Sequence, residues 1–167
     1  MFSIVFPGQG SQKIGMIKEF YENFDLVKRL FKDADAILNV PITKIIFEGP
    51  ENKLNSTENT QPAIFLASYC IFEIIKNEFG YDFKKFKYFA GHSLGEYSAL
   101  ACVGSIKFED TLKILKKRGE FMQEAVPSGE GAMLAVLGVA SKELDKILEI
   151  NNKKYECFIA NDNSNLQ

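Results

Sequence analysis

The stretch AGHSLGEYSA at residues 90–99 constrains the fold of this chain more than any other feature. Ser93 lies between Gly91 and Gly95 in the spacing G-x-S-x-G, directly after the apolar run 86–90 and before a segment that reads as a helix. This order predicts a strand, a sharp turn and a helix, in which the two glycines make room for a turn that lifts the serine hydroxyl out at the strand end.

A serine in such a turn is a candidate nucleophile. The backbone N–H of the next residue, Leu94, would point to where an oxyanion forms, and the helix dipole favours negative charge there. A serine hydroxyl also needs a base within hydrogen-bond reach. The only histidine is His92, and successive side chains leave a sharp turn in different directions, so we expect another group to be the base. The alternative is that Ser93 is an ordinary small residue in a glycine-rich connection.

Hydrophobic periodicity outlines the rest of the chain. A short strand over residues 2–6 is followed by helices over 16–38 and 61–77, and the helix after the serine turn is followed by another over 108–126. Beyond the break at residues 127–129, the pattern predicts a strand at 132–137, a helix at 141–150 and a strand at 155–160. We therefore expect a core over residues 1–127 and the first part of a smaller α+β unit over residues 128–167.

Two further places are candidates for chemistry. The glycine-rich loop PGQGSQ at residues 7–12 lacks the lysine of a phosphate loop. It is either a plain turn into a helix or a loop whose backbone N–H supplies a second oxyanion donor. Arg118 is one of two arginines and falls at the edge of the buried helix face. Arg118 either binds an anionic substrate, or it packs the aliphatic part of its side chain against the protein while the guanidinium stays in solvent.

Composition excludes several classes of function. The formal net charge is −2 and the lysines are dispersed, so no nucleic-acid partner is expected. One histidine and three separated cysteines with apolar neighbours predict no metal site and buried free thiols in a reducing compartment. No segment has the length of a membrane span or the pattern of a signal peptide, so we expect a soluble, cytoplasmic protein without a membrane partner.

Four segments in order and in register resemble the malonyl-CoA:acyl-carrier-protein transacylases of bacterial fatty-acid synthesis. They are PGQGSQ at 7–12, TQPAI at 60–64, GHSLGEYSAL at 91–100 and KRGEFMQEAVPSGEGAM at 117–133. The resemblance implies an α/β-hydrolase-like parallel sheet core that carries a small ferredoxin-like subdomain. It also implies a two-step reaction, in which malonyl-CoA acylates a serine and the phosphopantetheine thiol of acyl carrier protein then takes the malonyl group, with no bound cofactor.

The resemblance assigns roles to individual residues. Ser93 would be the nucleophile, the backbone N–H groups of Gln9 and Leu94 would form the oxyanion hole, and Arg118 would hold the malonyl carboxylate. The stretch NDNSNLQ at residues 161–167 is similar to the family's N-x-N-S-P-x-Q, with asparagine in place of the proline, and places Asn163 as a site-lining residue.

One departure qualifies the resemblance. The family carries its catalytic histidine, and a glutamine that orients it, in a downstream part that this sequence does not include. We therefore expect an N-terminal part of a transacylase that is poorly active and poorly soluble alone, with apolar surface and sheet edges left open. The alternatives are a fragment of a polyketide-type acyltransferase, or a non-catalytic fragment that binds acyl carrier protein or coenzyme A. A serine hydrolase is disfavoured by Arg118 and by the missing acid and base.

Overall fold

A computed structural model describes residues 2–127, 129–151 and 157–167 of the chain. The chain divides into two compact units, Met1–Pro127 and Ser128–Gln167. Among the described residues, none of the helices combines the length and the apolar character needed to cross a membrane.

The first unit contains two parallel strands, β1 (Phe2–Phe6) and β2 (Phe86–Gly91). Phe6 lies opposite Gly91, and the N–H of His92 donates to the Phe6 carbonyl at 3.2 Å. Because parallel strands end at the same edge of a sheet, the loop after β1 and the turn after β2 lie side by side. The strands confirm the predictions for residues 2–6 and 86–90.

Most of the rest of this unit is helical. The helices are α1 (Lys18–Asn23), α2 (Asp25–Leu38), α3 (Ile42–Glu48), α4 (Glu51–Asn55) and α5 (Thr57–Asn77), which precede β2, and α6 (Leu94–Cys102) and α7 (Phe108–Ala125), which follow it. Parallel strands need a long crossover connection, which here consists of α1 to α5. The architecture is therefore of the α/β class.

Helix α5 lies at the centre of the core. Its residues from Asn59 to Leu66 are all buried, and Phe65 and Leu66 are fully inaccessible to solvent. Burying one such large apolar side chain contributes about 1.5–3 kcal/mol. Helix α7 packs against the start of α5 at Gly119, where an added Cβ would lie 2.5 Å from the Glu58 Cα. Only a glycine permits this approach, which brings the middle of α7 against α5.

The long helix expected over residues 16–38 is wrong, because the structure has two helices there. Phe24 separates them with an extended backbone (φ −123°, ψ 117°). Its ring still packs against the core, so the apolar period continues through the break and conceals it. Helix α5 also begins earlier than expected, at Thr57 rather than at residue 61, which leaves Pro62 inside the helix.

The sheet formed by the two strands is exposed to solvent. In the described part of the chain neither strand pairs with a third strand, and Phe2 and Val5 are 63% and 73% exposed. The expectation of open sheet edges and exposed apolar surface is therefore confirmed. Such edges offer unpaired N–H and C=O groups to other chains.

In the second unit, helix α8 (Ser141–Asn151) confirms the predicted helix. The strand predicted at residues 132–137 is wrong, because those residues have no regular structure and Leu134 is 88% exposed. A strand requires a pairing partner, and within the described residues none pairs with this segment. The second predicted strand is equally absent at residues 157–160, and its residues 155 and 156 lie outside the described residues.

The three cysteines are free, but they differ in exposure. Cys70 is buried and Cys102 is half-buried, whereas Cys157 is exposed, so the expectation of a buried thiol is wrong at Cys157. Its unit leaves apolar side chains in solvent, including Phe158 at 76%. Burial raises the pKa of Cys102 to about 12. Burial raises the pKa of the Cys70 thiol as well.

We expect Cys157 to react with iodoacetamide near pH 8, while Cys70 and Cys102 stay unmodified in the folded chain. The thiolate is the reactive form, and a raised pKa keeps the two packed thiols protonated at that pH. Peptide mapping by mass spectrometry measures the labelling at each position. In urea, all three thiols should react. Labelling of Cys70 as fast as Cys157 without urea would contradict the burial that the structure describes.

Candidate active site

Ser93 occupies the turn between β2 and α6. Its backbone has φ 54° and ψ −111°, a left-handed conformation that residues other than glycine rarely adopt. The turn is closed by the N–H of Gly95, which donates to the His92 carbonyl at 2.9 Å. The side chain of Ser93 is exposed at the N-terminus of α6. The predicted strand, turn and helix are thus confirmed.

The two glycines of the turn leave no room for a larger residue at either position. A Cβ at Gly91 would overlap the backbone carbonyl of Gly95. A Cβ at Gly95 would lie 2.5 Å from the carbonyl oxygen of Phe6. Helix α6 therefore starts in direct backbone contact with the ends of both strands. This contact fixes the direction in which Ser93 leaves the sheet.

The candidate oxyanion donors lie at the same edge of the sheet. Leu94 is the first residue of α6, so its N–H has no acceptor within the helix. The loop that carries Gln9 packs closely against the serine turn at Gly8, where an added Cβ would lie 2.6 Å from Nδ1 of His92. The loop is held further by Ser11, whose Oγ donates to the Gly8 carbonyl at 2.9 Å. These contacts bring the Gln9 loop beside the serine turn.

Arg118 reaches the serine from helix α7. Its Nη2 donates to Ser93 Oγ at 3.0 Å, and its Nη1 donates to Oε1 of Gln61 at 2.7 Å. The guanidinium carbon lies 5.9 Å from the centre of the Tyr97 ring. None of the ion pairs found among the described residues involves Arg118. The site therefore combines an exposed hydroxyl with a guanidinium that no carboxylate neutralises there.

Gln61 and Met122 complete this group, and the sequence analysis assigned no role to either. Gln61 is fully buried, and its Nε2 donates to Sδ of Met122 at 3.2 Å. Nη1 of Arg118 also lies 3.4 Å from the same sulfur. Gln61 comes directly before the apolar run at residues 62–66, and a polar residue at the start of a helix predicted to be deeply buried was the signal that could have marked it.

His92 and Asn163 each have local contacts of their own. The His92 ring packs against Gly8, and no hydrogen bond joins it to Ser93 among the residues described. Asn163 belongs to the second unit, where its N–H donates to the carbonyl of Gln167 at 2.9 Å. The described residues contain no cluster of three or more histidine, cysteine, aspartate or glutamate side chains suited to a metal ion.

Comparison with known proteins identifies relatives that match most of the chain. The malonyl CoA-acyl carrier protein transacylase of Bacillus subtilis (strain 168) is 48% identical over 156 residues, which are 90% of this chain and 47% of the relative. The crystal structure of acyl-carrier-protein-S-malonyltransferase from Bartonella henselae superimposes with a TM-score of 0.86 at 43% identity, covering 98% of this chain and 52% of that one.

A third relative is a malonyl-transacylase solved in complex with a type II polyketide acyl-carrier protein, with a TM-score of 0.83 at 39% identity. This match covers 91% of this chain and 48% of that chain. The chain thus spans about half the length of the relatives it matches. Residues 3–164 match the family described as acyl transferase domain, and the match includes the serine turn, Gln61 and Arg118. The chain therefore belongs to the acyl transferase domain family.

Proposed function

We propose that this chain transfers a malonyl group from malonyl-CoA to the phosphopantetheine thiol of an acyl carrier protein, in fatty-acid synthesis. The observation that carries the proposal is the 3.0 Å contact between Nη2 of Arg118 and Oγ of Ser93. In a malonyl ester of Ser93, one methylene separates the ester carbonyl from the free carboxylate. A guanidinium that already touches Oγ is therefore within reach of that carboxylate, which it can hold by two parallel hydrogen bonds.

Each step exchanges one acyl bond for another. Oγ of Ser93 attacks the thioester carbonyl, the new C–O bond forms and the C–S bond breaks. The serine proton ends on the sulfur of the departing coenzyme A. In the second step the phosphopantetheine thiol attacks the malonyl ester, and its proton returns to Oγ. We assign the N–H groups of Gln9 and Leu94 to the oxyanion that forms in both steps.

The finer architecture belongs to the same proposal. We assign Met1–Pro127 to an α/β-hydrolase-like core and Ser128–Gln167 to the first part of a ferredoxin-like subdomain, in which Asn163 lines the substrate path. Malonyl-CoA and acyl carrier protein are the proposed partners, and the reaction as written needs no bound cofactor. The names of the relatives support this substrate pair.

A polyketide pathway is a second candidate destination for the malonyl group. It is supported by the related malonyl-transacylase that was solved with a type II polyketide acyl-carrier protein. Both candidate functions proceed through the serine ester, and they differ only in the carrier protein that accepts the acyl group. Rates of transfer to a fatty-acid carrier and to a polyketide carrier, measured side by side, distinguish them.

Prolonged incubation of the chain with malonyl-CoA is expected to place one malonyl group on Ser93, slowly, because among the described residues the serine hydroxyl contacts Arg118 and no base. Peptide mapping by mass spectrometry locates the adduct. The Ser93→Ala variant should give no adduct, because it lacks the nucleophile. Ser105→Ala, which removes an exposed hydroxyl from the loop after α6, should be acylated like the unchanged chain. An adduct that persists in Ser93→Ala, or saturable binding of malonyl-CoA without any acylation, would refute the proposal.

A further inference from the structure

Gln61 is a polar side chain on the central core helix α5, and its amide is fully buried. Both ends of the amide have partners: Oε1 accepts from Nη1 of Arg118 at 2.7 Å, and Nε2 donates to Sδ of Met122 at 3.2 Å. A guanidinium has donors only, so it must face the amide oxygen. The partners therefore fix both the position and the orientation of the amide.

The amide holds Arg118 without neutralising it. A glutamate has nearly the same shape as a glutamine and would accept the same hydrogen bond from Nη1 of Arg118. It would also form a buried ion pair with the guanidinium, whose charge would then be compensated before any ligand arrives. Glutamine and glutamate would therefore both position the guanidinium. They differ by one negative charge beside the group that faces Ser93.

The surroundings of Arg118 supply no other compensation in the described part of the chain. The ion pairs found there join Lys28 to Asp25, Lys76 to Glu73 and Lys117 to Glu120. The other contacts of the guanidinium are the thioether of Met122, the ring of Tyr97 and the hydroxyl of Ser93, all of them uncharged. A half-buried cation with neutral partners is stabilised most by an anionic ligand that binds next to it.

We propose that Gln61 sets the acyl-group selectivity of the site. By holding Arg118 with a neutral acceptor, it leaves the guanidinium charge for the free carboxylate of a dicarboxylic acyl group and so favours malonyl over acetyl. Gln61 is a positioning residue, since it contacts Arg118 rather than the reacting atoms. The inference rests on the proposed malonyl transfer and adds the residue that governs the choice of acyl group.

A competition experiment tests this role. The chain receives malonyl-CoA and acetyl-CoA at equal concentration, and mass spectrometry quantifies the two adducts on Ser93. Both thioesters compete for the same folded molecules, so the ratio of adducts is independent of the folded fraction. The variants are Gln61→Glu, which adds the charge, and Gln61→Met, which removes the acceptor without adding charge. Gln123→Glu makes the same glutamine-to-glutamate change on α7, where the side chain of Gln123 donates to the Val126 carbonyl and is not among the contacts of Arg118 described above.

The expected results separate charge from packing. Gln61→Glu should lower the malonyl-to-acetyl ratio by about tenfold or more, because the carboxylate of residue 61 competes with that of the substrate. Gln61→Met should acylate more slowly with both thioesters and still favour malonyl. Gln123→Glu should keep the ratio of the unchanged chain.

Two results would overturn the inference while leaving malonyl transfer intact. One is a Gln61→Glu variant with an unchanged ratio, and the other is a Gln61→Met variant that loses the preference as completely as Gln61→Glu. An unchanged chain that forms no malonyl adduct, or that shows no preference for malonyl, refutes the proposed function itself and the inference with it. The comparison of the unchanged chain with its variants thus tells the two failures apart.

Discussion

Gly91→Ala is expected to lower the free energy of unfolding by about 3 kcal/mol or more. The added methyl group would overlap the carbonyl of Gly95 and approach the backbone nitrogen of Glu96. Backbone atoms cannot turn away as a side chain can, so helix α6 must shift from the strand ends. Urea denaturation followed by circular dichroism measures the loss, and the same shift should also displace Ser93 and reduce its acylation.

Gly104→Ala is the control for this substitution. Gly104 follows α6 with φ +80°, and a Cβ there would meet no atom within 4 Å. The loss of stability in Gly104→Ala comes from the backbone conformation alone and is about 1 kcal/mol. Equal losses of stability for the two variants would show that the tight contact at Gly91 does not exist in solution.

Arg118→Ala is expected to reduce malonyl acylation of Ser93 relative to acetyl acylation by about 100-fold. The guanidinium can give two charge-assisted hydrogen bonds to the malonyl carboxylate, each of about 1.5–3 kcal/mol, whereas acetyl offers no carboxylate. The Arg118→Lys variant should give a malonyl-to-acetyl ratio between those of the unchanged chain and Arg118→Ala. An ammonium keeps the charge but lacks the planar pair of donors. The ratio of the two Ser93 adducts under competition measures the effect.

Arg29→Ala provides the matched control, since Arg29 is the other arginine of the sequence and lies exposed on α2. It changes the net charge by the same amount and should leave the adduct ratio untouched. If Arg29→Ala lowered the ratio as much as Arg118→Ala, the effect would come from long-range charge. An unchanged ratio in Arg118→Ala would remove the guanidinium from the proposed site.

Much of the serine turn could be predicted from the sequence, because its determinants are local. A strand, two glycines at fixed spacing and the start of a helix all fall within residues 86–102, and each has a signature of its own. Periodicity likewise identified α7 and placed Arg118 at the edge of its buried face. Those predictions needed only the geometry of a single element.

What the sequence could not predict depends on distant contacts or on single backbone angles. The contact between Arg118 and Gln61 joins residues 57 positions apart, and it follows from the close approach of α7 to α5 at Gly119. The break at Phe24 leaves the apolar pattern intact, since only its φ and ψ change. The start of α5 was misplaced because Pro62 suggested a first helical turn, whereas the helix begins after Ser56.

The backbone of Ser93 has a consequence for how this position can evolve. A serine at φ 54° and ψ −111° costs of order 1–3 kcal/mol that a glycine would not incur. A lineage that selected only for folding would therefore accumulate glycine at this position. Only selection for the hydroxyl would keep a serine here against that disadvantage in stability, so a relative with glycine at this position is expected to keep the fold and to lack serine acylation.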